Sequence, residues 1–142
     1  MSVFVDANVF IYAHTDTAYG GACRQIMRHI ARNELDAVTS VLVAEEIWHV
    51  EMRGPLNIPP GSMQLALDVF DHIVSIDIDT LRLAMDMAEL PASLGTADRI
   101  HTATCHTLGI TRMLSADRSF DGIPWLARVD PTDANVAGLL RA

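Results

Sequence analysis

Acidic side chains recur where the sequence predicts that strands end and helices begin. Asp6 ends a short β-prone run, and Asp117 follows a later such run by two residues. Ligands of parallel α/β sheets lie beyond the carboxyl ends of the strands, so we expect both acids at one edge of a sheet. Asp98 falls in the first turn of a predicted helix, where the helix dipole favours negative charge. Glu45 and Glu46 lie in the second turn of another helix, whose apolar rows do not distinguish between them.

Taken together, these acids predict a divalent-metal site. Three or four converging carboxylates would repel one another and raise some of their pKa values, and a divalent cation removes that penalty. Ligands that are all oxygen atoms favour hard ions such as Mg²⁺ or Mn²⁺ over Zn²⁺, and no pair of Cys or His residues has the spacing of a zinc site. Such an ion suits phosphodiester hydrolysis, because it activates water and stabilises developing negative charge. Each acid taken singly is more often structural than functional, so the prediction depends on their combination.

Short β-prone runs alternate along the chain with stretches of helical periodicity. The runs cover residues 2–6, 37–39, 73–76 and 111–115, with a candidate fifth over 126–129. Helices are predicted over 18–33, 40–53, 62–72, 80–90 and 96–108. Ser40 and Thr96 are candidate N-caps, Gly109 is a candidate C-cap, and residues 54–61 form a Pro/Gly-rich connection. The alternation predicts a single α/β domain over residues 1–142, with a mainly parallel sheet covered on both faces.

The composition describes a globular protein. Of the 142 residues 50% are hydrophobic and 20% charged, which excludes intrinsic disorder, collagen-like chains and disulfide scaffolds. The longest apolar stretch, Val9–Ala13, is far too short to cross a bilayer, and the N-terminus has no signal-peptide features. We therefore expect a cytoplasmic protein that neither spans nor binds a membrane. Cys23 and Cys105 are expected to be buried thiols rather than a disulfide framework.

The charge balance restricts how the protein could bind nucleic acid. The net charge is −8, whereas proteins that hold nucleic acid through a broad face are usually basic. Either nucleic acid is not the substrate, or its binding is local, metal-assisted or shared with a partner. The chain also has no lysine, which disfavours two other interpretations of Asp6. These are an aspartyl phosphatase, which further requires an acid where Asn8 stands, and a phospho-receiver domain.

Two segments in the first half of the chain resemble motifs of PIN-domain nucleases. Residues 5–12, Val-Asp-Ala-Asn-Val-Phe-Ile-Tyr, resemble the opening strand of that family, which ends in Asp-x-Asn before a helix. Ser40, followed by Glu-Ile-Trp-His at residues 46–49, is similar to the family's second acidic helix. There the acid usually lies six residues after the Ser or Thr, which favours Glu46 over Glu45.

Two further segments continue the resemblance in the same order. Residues 96–103, Thr-Ala-Asp-Arg-Ile-His-Thr-Ala, are similar to the helix that carries the family's third acid. Residues 114–124 resemble its closing segment, in which a strand is followed by an acid and a Phe-Asp turn. Each motif is weak alone, but four in order, from about residue 2 to 131, are a strong signal.

The resemblance implies a fold, a reaction and a set of metal ligands. The fold would be a three-layer α/β/α sandwich, and the protein a Mg²⁺- or Mn²⁺-dependent endoribonuclease. Asp6, Asp98 and Asp117 would be direct metal ligands, and Glu46 would complete the cluster directly or through water. We expect hydrolysis to leave a 5′-phosphate and a 3′-hydroxyl. Asp6→Asn should abolish cleavage and leave the metal-free variant no less stable.

The resemblance also implies supporting residues and partners. Asn8 would support Asp6, Ser115 would brace the site by hydrogen bonding, and Asp121 would join as an outer acid. Bacterial members of this size are typically VapC-like toxins, which cleave RNA, form homodimers and are held inactive by a cognate antitoxin. The alternative is a catalytically inactive PIN-like module that sequesters an RNA or protein partner.

Two residues of the predicted helix 96–108 have roles that the sequence leaves open. His101 lies one turn after Asp98, and a helix-packing or hydrogen-bonding role is expected for it rather than a catalytic one. Arg99 is expected to form an ion pair with a neighbouring acid. Neither residue is predicted to bind metal or substrate.

Overall fold

The computed structural model describes residues 1–54 and 58–141, so part of the predicted connection over 54–61 lies outside the described residues. Within them, five strands alternate with six α-helices and two 3₁₀ helices. The strands are β1 Val3–Val5, β2 Ala37–Ser40, β3 His72–Val74, β4 Arg112–Leu114 and β5 Ala127–Val129. The α-helices are α1 Ala7–Tyr12, α2 Ala18–Ala31, α3 Val41–Arg53, α4 Ser62–Val69, α5 Ile78–Asp86 and α6 Thr96–Leu108. The 3₁₀ helices are Arg118–Gly122 and Ala134–Leu139.

The five strands form one sheet in the order β3-β2-β1-β4-β5, and all four pairings are parallel. β1 lies at the centre, with Phe4 opposite Val38 on one side and Met113 on the other. All five strands therefore end at the same edge of the sheet. This confirms the predicted parallel sheet and places β1 and β4, which precede Asp6 and Asp117, side by side.

Helices cover both faces of the sheet, so the fold has the three layers that were predicted. Phe4 packs into one hydrophobic cluster, with side chains of α3 and α6, whereas Val3 and Val5 pack into a second cluster with side chains of α2. This separation follows from the alternation of side chains along a strand. Cys23 and Cys105 are buried free thiols, as expected. Among the described residues, no helix is long and apolar enough to cross a bilayer.

The helix boundaries agree with the predicted caps at two positions and differ at one. Ser40 caps α3 by accepting a hydrogen bond from the Val43 N–H at 3.3 Å. Gly109 ends α6 in the left-handed conformation, with a φ of 67°. The prediction that Thr96 caps α6 is wrong, because Gly95 is the N-cap and Thr96 is already helical. The Gly95 carbonyl accepts the first hydrogen bond of the helix, from the Arg99 N–H.

Candidate active site

Asp6 lies at the carboxyl end of β1, where three donors hold its carboxylate. The Ala7 N–H donates to Oδ1 at 2.8 Å, and Asn8 Nδ2 and the Ser115 hydroxyl donate to Oδ2 at 3.0 and 2.7 Å. Asp6 is only 5% exposed, and burial of an ionised carboxylate without such bonds would be costly. These bonds fix the orientation of a carboxylate at the centre of the sheet edge.

Ser115 joins the first strand to the loop that carries Asp117. Its hydroxyl donates to Asp6 and accepts hydrogen bonds from Asn8 Nδ2 and the Asp117 N–H, each at 3.0 Å. A hydroxyl has one donor and two acceptor positions, so all three are used. The Asn8 carbonyl oxygen accepts from the Ala116 N–H at 3.0 Å. Asn8 and Ser115 thus make the contacts expected of bracing residues.

Glu46, the second acid, reaches the site from α3 and contacts α6. Its Oε1 lies 2.8 Å from His101 Nε2, and that nitrogen lies 3.9 Å from Asp6 Oδ1. Single ligand atoms of Asp6, Glu46 and His101 all lie within 4.8 Å of one another. Glu45 is exposed and lines a groove with apolar residues of α3 and α5. The geometry therefore distinguishes the two glutamates in favour of Glu46.

Asp98 and Asp117 complete the group of acids. Asp98 lies in the first turn of α6, and Asp117 is the N-cap of the following 3₁₀ helix, where Oδ1 accepts from the Ser119 N–H at 2.9 Å. Both side chains are partly exposed. Burial and the negative charge of Asp6 raise the pKa of Asp98 to about 6, with smaller contributions from Asp117 and Glu46. The structure therefore brings all four predicted acids within electrostatic reach of one another.

Asp6 and His101 shift each other's pKa, and burial acts on both. Burial raises the pKa of Asp6, although His101 and the Ser115 hydroxyl act in the opposite direction. Burial lowers the pKa of His101, but the hydrogen bond with Glu46 and the charge of Asp6 outweigh it, and the net shift is upward. The carboxylates are thus only partly neutralised by the protein. Carboxylate oxygens whose negative charge is not fully balanced by the protein fit a hard divalent cation such as Mg²⁺ or Mn²⁺.

Asp121, the predicted outer acid, is engaged elsewhere. Its two carboxylate oxygens accept from Nε and an Nη of Arg128 at 2.7 and 3.2 Å, and its side chain is 53% exposed. Arg128 also donates to the Ser115 carbonyl and to Asp130, at 2.9 and 3.1 Å. Asp121 therefore anchors the arginine that braces the Asp117 loop. Its role as an outer acid stays a prediction.

Two residues of α6 have contacts that the sequence did not specify. Arg99 pairs with no acid among the described residues: it donates to the carbonyls of Leu94 and Pro91 at 2.9 and 2.8 Å, which braces the loop before α6. His101 has the expected hydrogen-bonding role, but its partner Glu46 lies 55 residues away. One feature of the sequence indicated that His101 lies near the acids: Asp98 and His101 are three residues apart and so share one face of the helix.

Comparison with known proteins agrees with this geometry. The PIN domain family model matches residues 3–126, and the chain belongs to this family. Ribonuclease VapC23 of Mycobacterium tuberculosis is 25% identical over 118 residues, which cover 82% of this chain and 94% of that protein.

Solved structures show the same fold. The Mycobacterium tuberculosis toxin VapC20, which cleaves the sarcin-ricin loop, matches with a TM-score of 0.66 and 16% identity over 87% of this chain and 96% of VapC20. VapBC2 from Rickettsia felis, bound to a DNA fragment from its promoter, matches with a TM-score of 0.67 and 14% identity over 92% and 98%. The predicted resemblance to PIN-domain, VapC-like ribonucleases is thereby confirmed.

Proposed function

We propose that this protein is a divalent-metal-dependent endoribonuclease and the toxin of a VapBC-type toxin–antitoxin pair. The observation that carries this proposal is the convergence of Asp6, Glu46, Asp98 and Asp117 at one edge of the sheet, where burial and mutual repulsion raise the pKa of Asp98. Membership of the PIN family and the similarity to Ribonuclease VapC23 support RNA as the substrate. Because RNA is the substrate, we place the activity in the cytoplasm.

The four acids would hold Mg²⁺ or Mn²⁺. When bound, the ion would activate water for attack on a phosphodiester and stabilise the charge that develops. The chain's own contribution is to fix the carboxylates beforehand: Asp6 by its three donors and Asp117 by the 3₁₀ helix that it caps. Hydrogen-bonded carboxylates of this kind hold a metal in a defined orientation.

The strong negative charge indicates how RNA would be bound. A chain of net charge −8 repels phosphate over long range, so the ion itself would supply most of the attraction at the site. Arg118 directly follows Asp117 and is exposed, which makes it a phosphate contact close to the acids. Binding that relies on so few cations predicts a weak dependence of RNA affinity on salt.

The proposal includes protein partners. Relatives of known structure include the toxin–antitoxin pair VapBC2, which supports an antitoxin as the inhibitor of this protein. We also propose a homodimer, supported by large apolar side chains that α5 exposes: Ile78 is 57% and Met85 76% exposed. Leu139 packs into the core and Leu140 bridges to Leu35, which supports a single nuclease domain over residues 1–142.

A cleavage assay tests the activity. Purified protein, freed of antitoxin, is incubated with a cellular RNA pool in Mg²⁺, Mn²⁺ or EDTA, beside Asp6→Asn and Asp117→Asn. The control is Asp133→Asn, because Asp133 also caps a 3₁₀ helix, through a 2.8 Å bond from the Asn135 N–H. Asparagine can accept both capping bonds, so both capping variants should fold.

The expected result is metal-dependent fragments with 5′-phosphate ends from wild type and Asp133→Asn, and none from the two active-site variants. Cleavage that persists in Asp6→Asn would refute the assignment. Folded protein that binds Mn²⁺ and cuts nothing, with any metal, would favour the alternative of a PIN-like module that sequesters its partner. Light scattering of the same sample measures the oligomeric state, and a monomer at micromolar concentration would contradict the dimer.

A further inference from the structure

His101 is a buried polar side chain to which the proposed reaction assigns no role. Its imidazole is 0% exposed and lies between the acids and the core. On one side Nε2 is 2.8 Å from Glu46 Oε1 and 3.9 Å from Asp6 Oδ1. On the other side the ring packs against Phe4, with 5.6 Å between the ring centroids. The ring is therefore held by the core and directed at the acids.

The direction of the hydrogen bond follows from the chemistry of its partners. An ionised carboxylate can only accept, so His101 Nε2 carries a proton and donates it to Glu46. The other ring nitrogen, Nδ1, has no hydrogen-bond partner within residues 1–54 and 58–141. The contact with Glu46 is thus the polar interaction that accounts for a histidine at this buried position.

Glu46 depends on this one donor more than Asp6 and Asp117 depend on any single donor of theirs. Asp6 is fixed by three donors and Asp117 by its capping bond. For Glu46, the bond from His101 is the one side-chain hydrogen bond recorded among the described residues. A glutamate has a longer side chain than an aspartate and loses more rotamer entropy when it is ordered. One buried donor from a neighbouring helix supplies that order.

We propose that His101 is a positioning residue that holds Glu46 in the orientation required to complete the divalent-metal site. The inference rests on the proposed function, since it concerns the same acids. His101 acts through Glu46 and does not bind the metal itself. Coordination by Nε2 would require loss of the Nε2 proton and of the 2.8 Å bond to Glu46. Removal of a hydrogen-bond partner of a metal ligand typically weakens metal binding by about 10–100-fold.

Mn²⁺ titration of the full, EDTA-stripped chain tests this role. His101→Leu removes the donor, whereas His101→Gln places an amide N–H near the position of Nε2. The control is Thr104→Val on the same helix: Thr104 is 3% exposed and its hydroxyl donates to the Ile100 carbonyl rather than to an acid. We expect about 10–100-fold weaker Mn²⁺ binding for His101→Leu, substantial rescue by Gln and no change for Thr104→Val.

Two further measurements separate the alternatives. Circular dichroism checks that each variant folds; should His101→Leu fail to fold, His101→Asn replaces it, because the shorter amide cannot reach Glu46. Pulsed electron paramagnetic resonance of bound Mn²⁺ detects directly coordinated nitrogen, and none is expected.

A nitrogen signal that His101→Gln abolishes would make His101 a ligand and overturn the proposal. Equal Mn²⁺ affinity in wild type and the donor-less variant would also overturn it, while leaving the proposed function intact. Failure of the wild type to bind Mn²⁺ would overturn the proposed metal-dependent function and, with it, this role.

Discussion

Replacing Asp98 by asparagine measures what the ionised carboxylate costs the fold in the absence of metal, through its burial and through repulsion by the neighbouring acids. The pKa of Asp98 is raised from 3.8 to about 6 by burial and by neighbouring carboxylates. At about 1.4 kcal/mol per pKa unit, the ionised carboxylate costs up to about 3 kcal/mol of folding free energy. Because the side chain is partly exposed, solvent screening lowers this value, and we expect about 1–2 kcal/mol.

The pH dependence of stability follows from the direction of the Asp98 pKa shift. The folded protein binds this proton more tightly than the unfolded chain, so protonation stabilises the fold. The penalty is therefore absent below about pH 4, grows as the pH rises through 4–6, and is complete above about pH 6. Asp98→Asn removes it, and the variant should be more stable than wild type at pH 7.5 and about equal at pH 4.

The assay is urea and thermal unfolding in EDTA at both pH values, with Asp71→Asn as control. Asp71 is exposed and directly precedes β3, at the opposite edge of the sheet from the acids. The gain for Asp98→Asn at pH 7.5 should be about 4–8 °C in melting temperature, with none for Asp71→Asn. A loss of stability at pH 7.5, or an equal gain at pH 4, would refute the raised pKa of Asp98 and the penalty derived from it.

Two further predictions concern the scaffold. Gly20→Ala should destabilise the protein by about 1–3 kcal/mol, because a Cβ at residue 20 would meet the Thr15 carbonyl oxygen at 2.1 Å. Gly21→Ala on the same helix should stabilise the protein by about 0.5–1 kcal/mol, because a Cβ there has nothing closer than 4.0 Å. Calorimetry measures both variants, and equal effects would contradict this packing. Arg128→Met should lower the free energy of unfolding by about 1–3 kcal/mol, because it removes the bonds to Asp121 and to the Ser115 carbonyl. Urea unfolding measures this change as a lower midpoint. An unchanged midpoint would show that these bonds contribute no stability.

The strand ends were predictable from the sequence because they depend on local pattern and one general rule. Apolar β-prone runs locate β1 and β4, and parallel pairing places the acids that follow them at one edge. Asp6 and Asp117 are therefore found where expected. The short helix Ala7–Tyr12 was indicated by the PIN resemblance alone, since six residues show too little periodicity for a helix to be inferred.

Periodicity alone left the second acid open, the PIN resemblance favoured Glu46, and tertiary structure supplies the physical reason. Periodicity places Glu45 and Glu46 on adjacent rows of one helix, and the packing of α3 against the rest of the core decides which row faces α6. Likewise, the partner of His101 lies 55 residues away, a separation that no local pattern encodes. Side-chain pairs that are so far apart in sequence are identified only from the folded structure.

The structure also changes one expectation about stability. From repulsion alone, Asp6→Asn was expected to be no less stable without metal. However, both carboxylate oxygens of Asp6 accept hydrogen bonds from Ala7, Asn8 and Ser115. An asparagine amide places a donor against one of these donors, and the lost bond costs about 1 kcal/mol. The cost of an ionised carboxylate is thus measured more cleanly at Asp98, whose carboxylate accepts no hydrogen bond from the described residues.

The central position of β1 has a consequence for the time at which the enzyme becomes active during synthesis. Of the five described strands, β1 leaves the ribosome first, yet it pairs with β4, and the Ser115 hydroxyl that fixes Asp6 comes 109 residues later. Nascent chains therefore lack an assembled site until Asp117 has been added and β4 has paired. The growing chain of such a nuclease thus cannot cleave RNA before residue 117 has been added, and chains that terminate earlier have no activity to restrain.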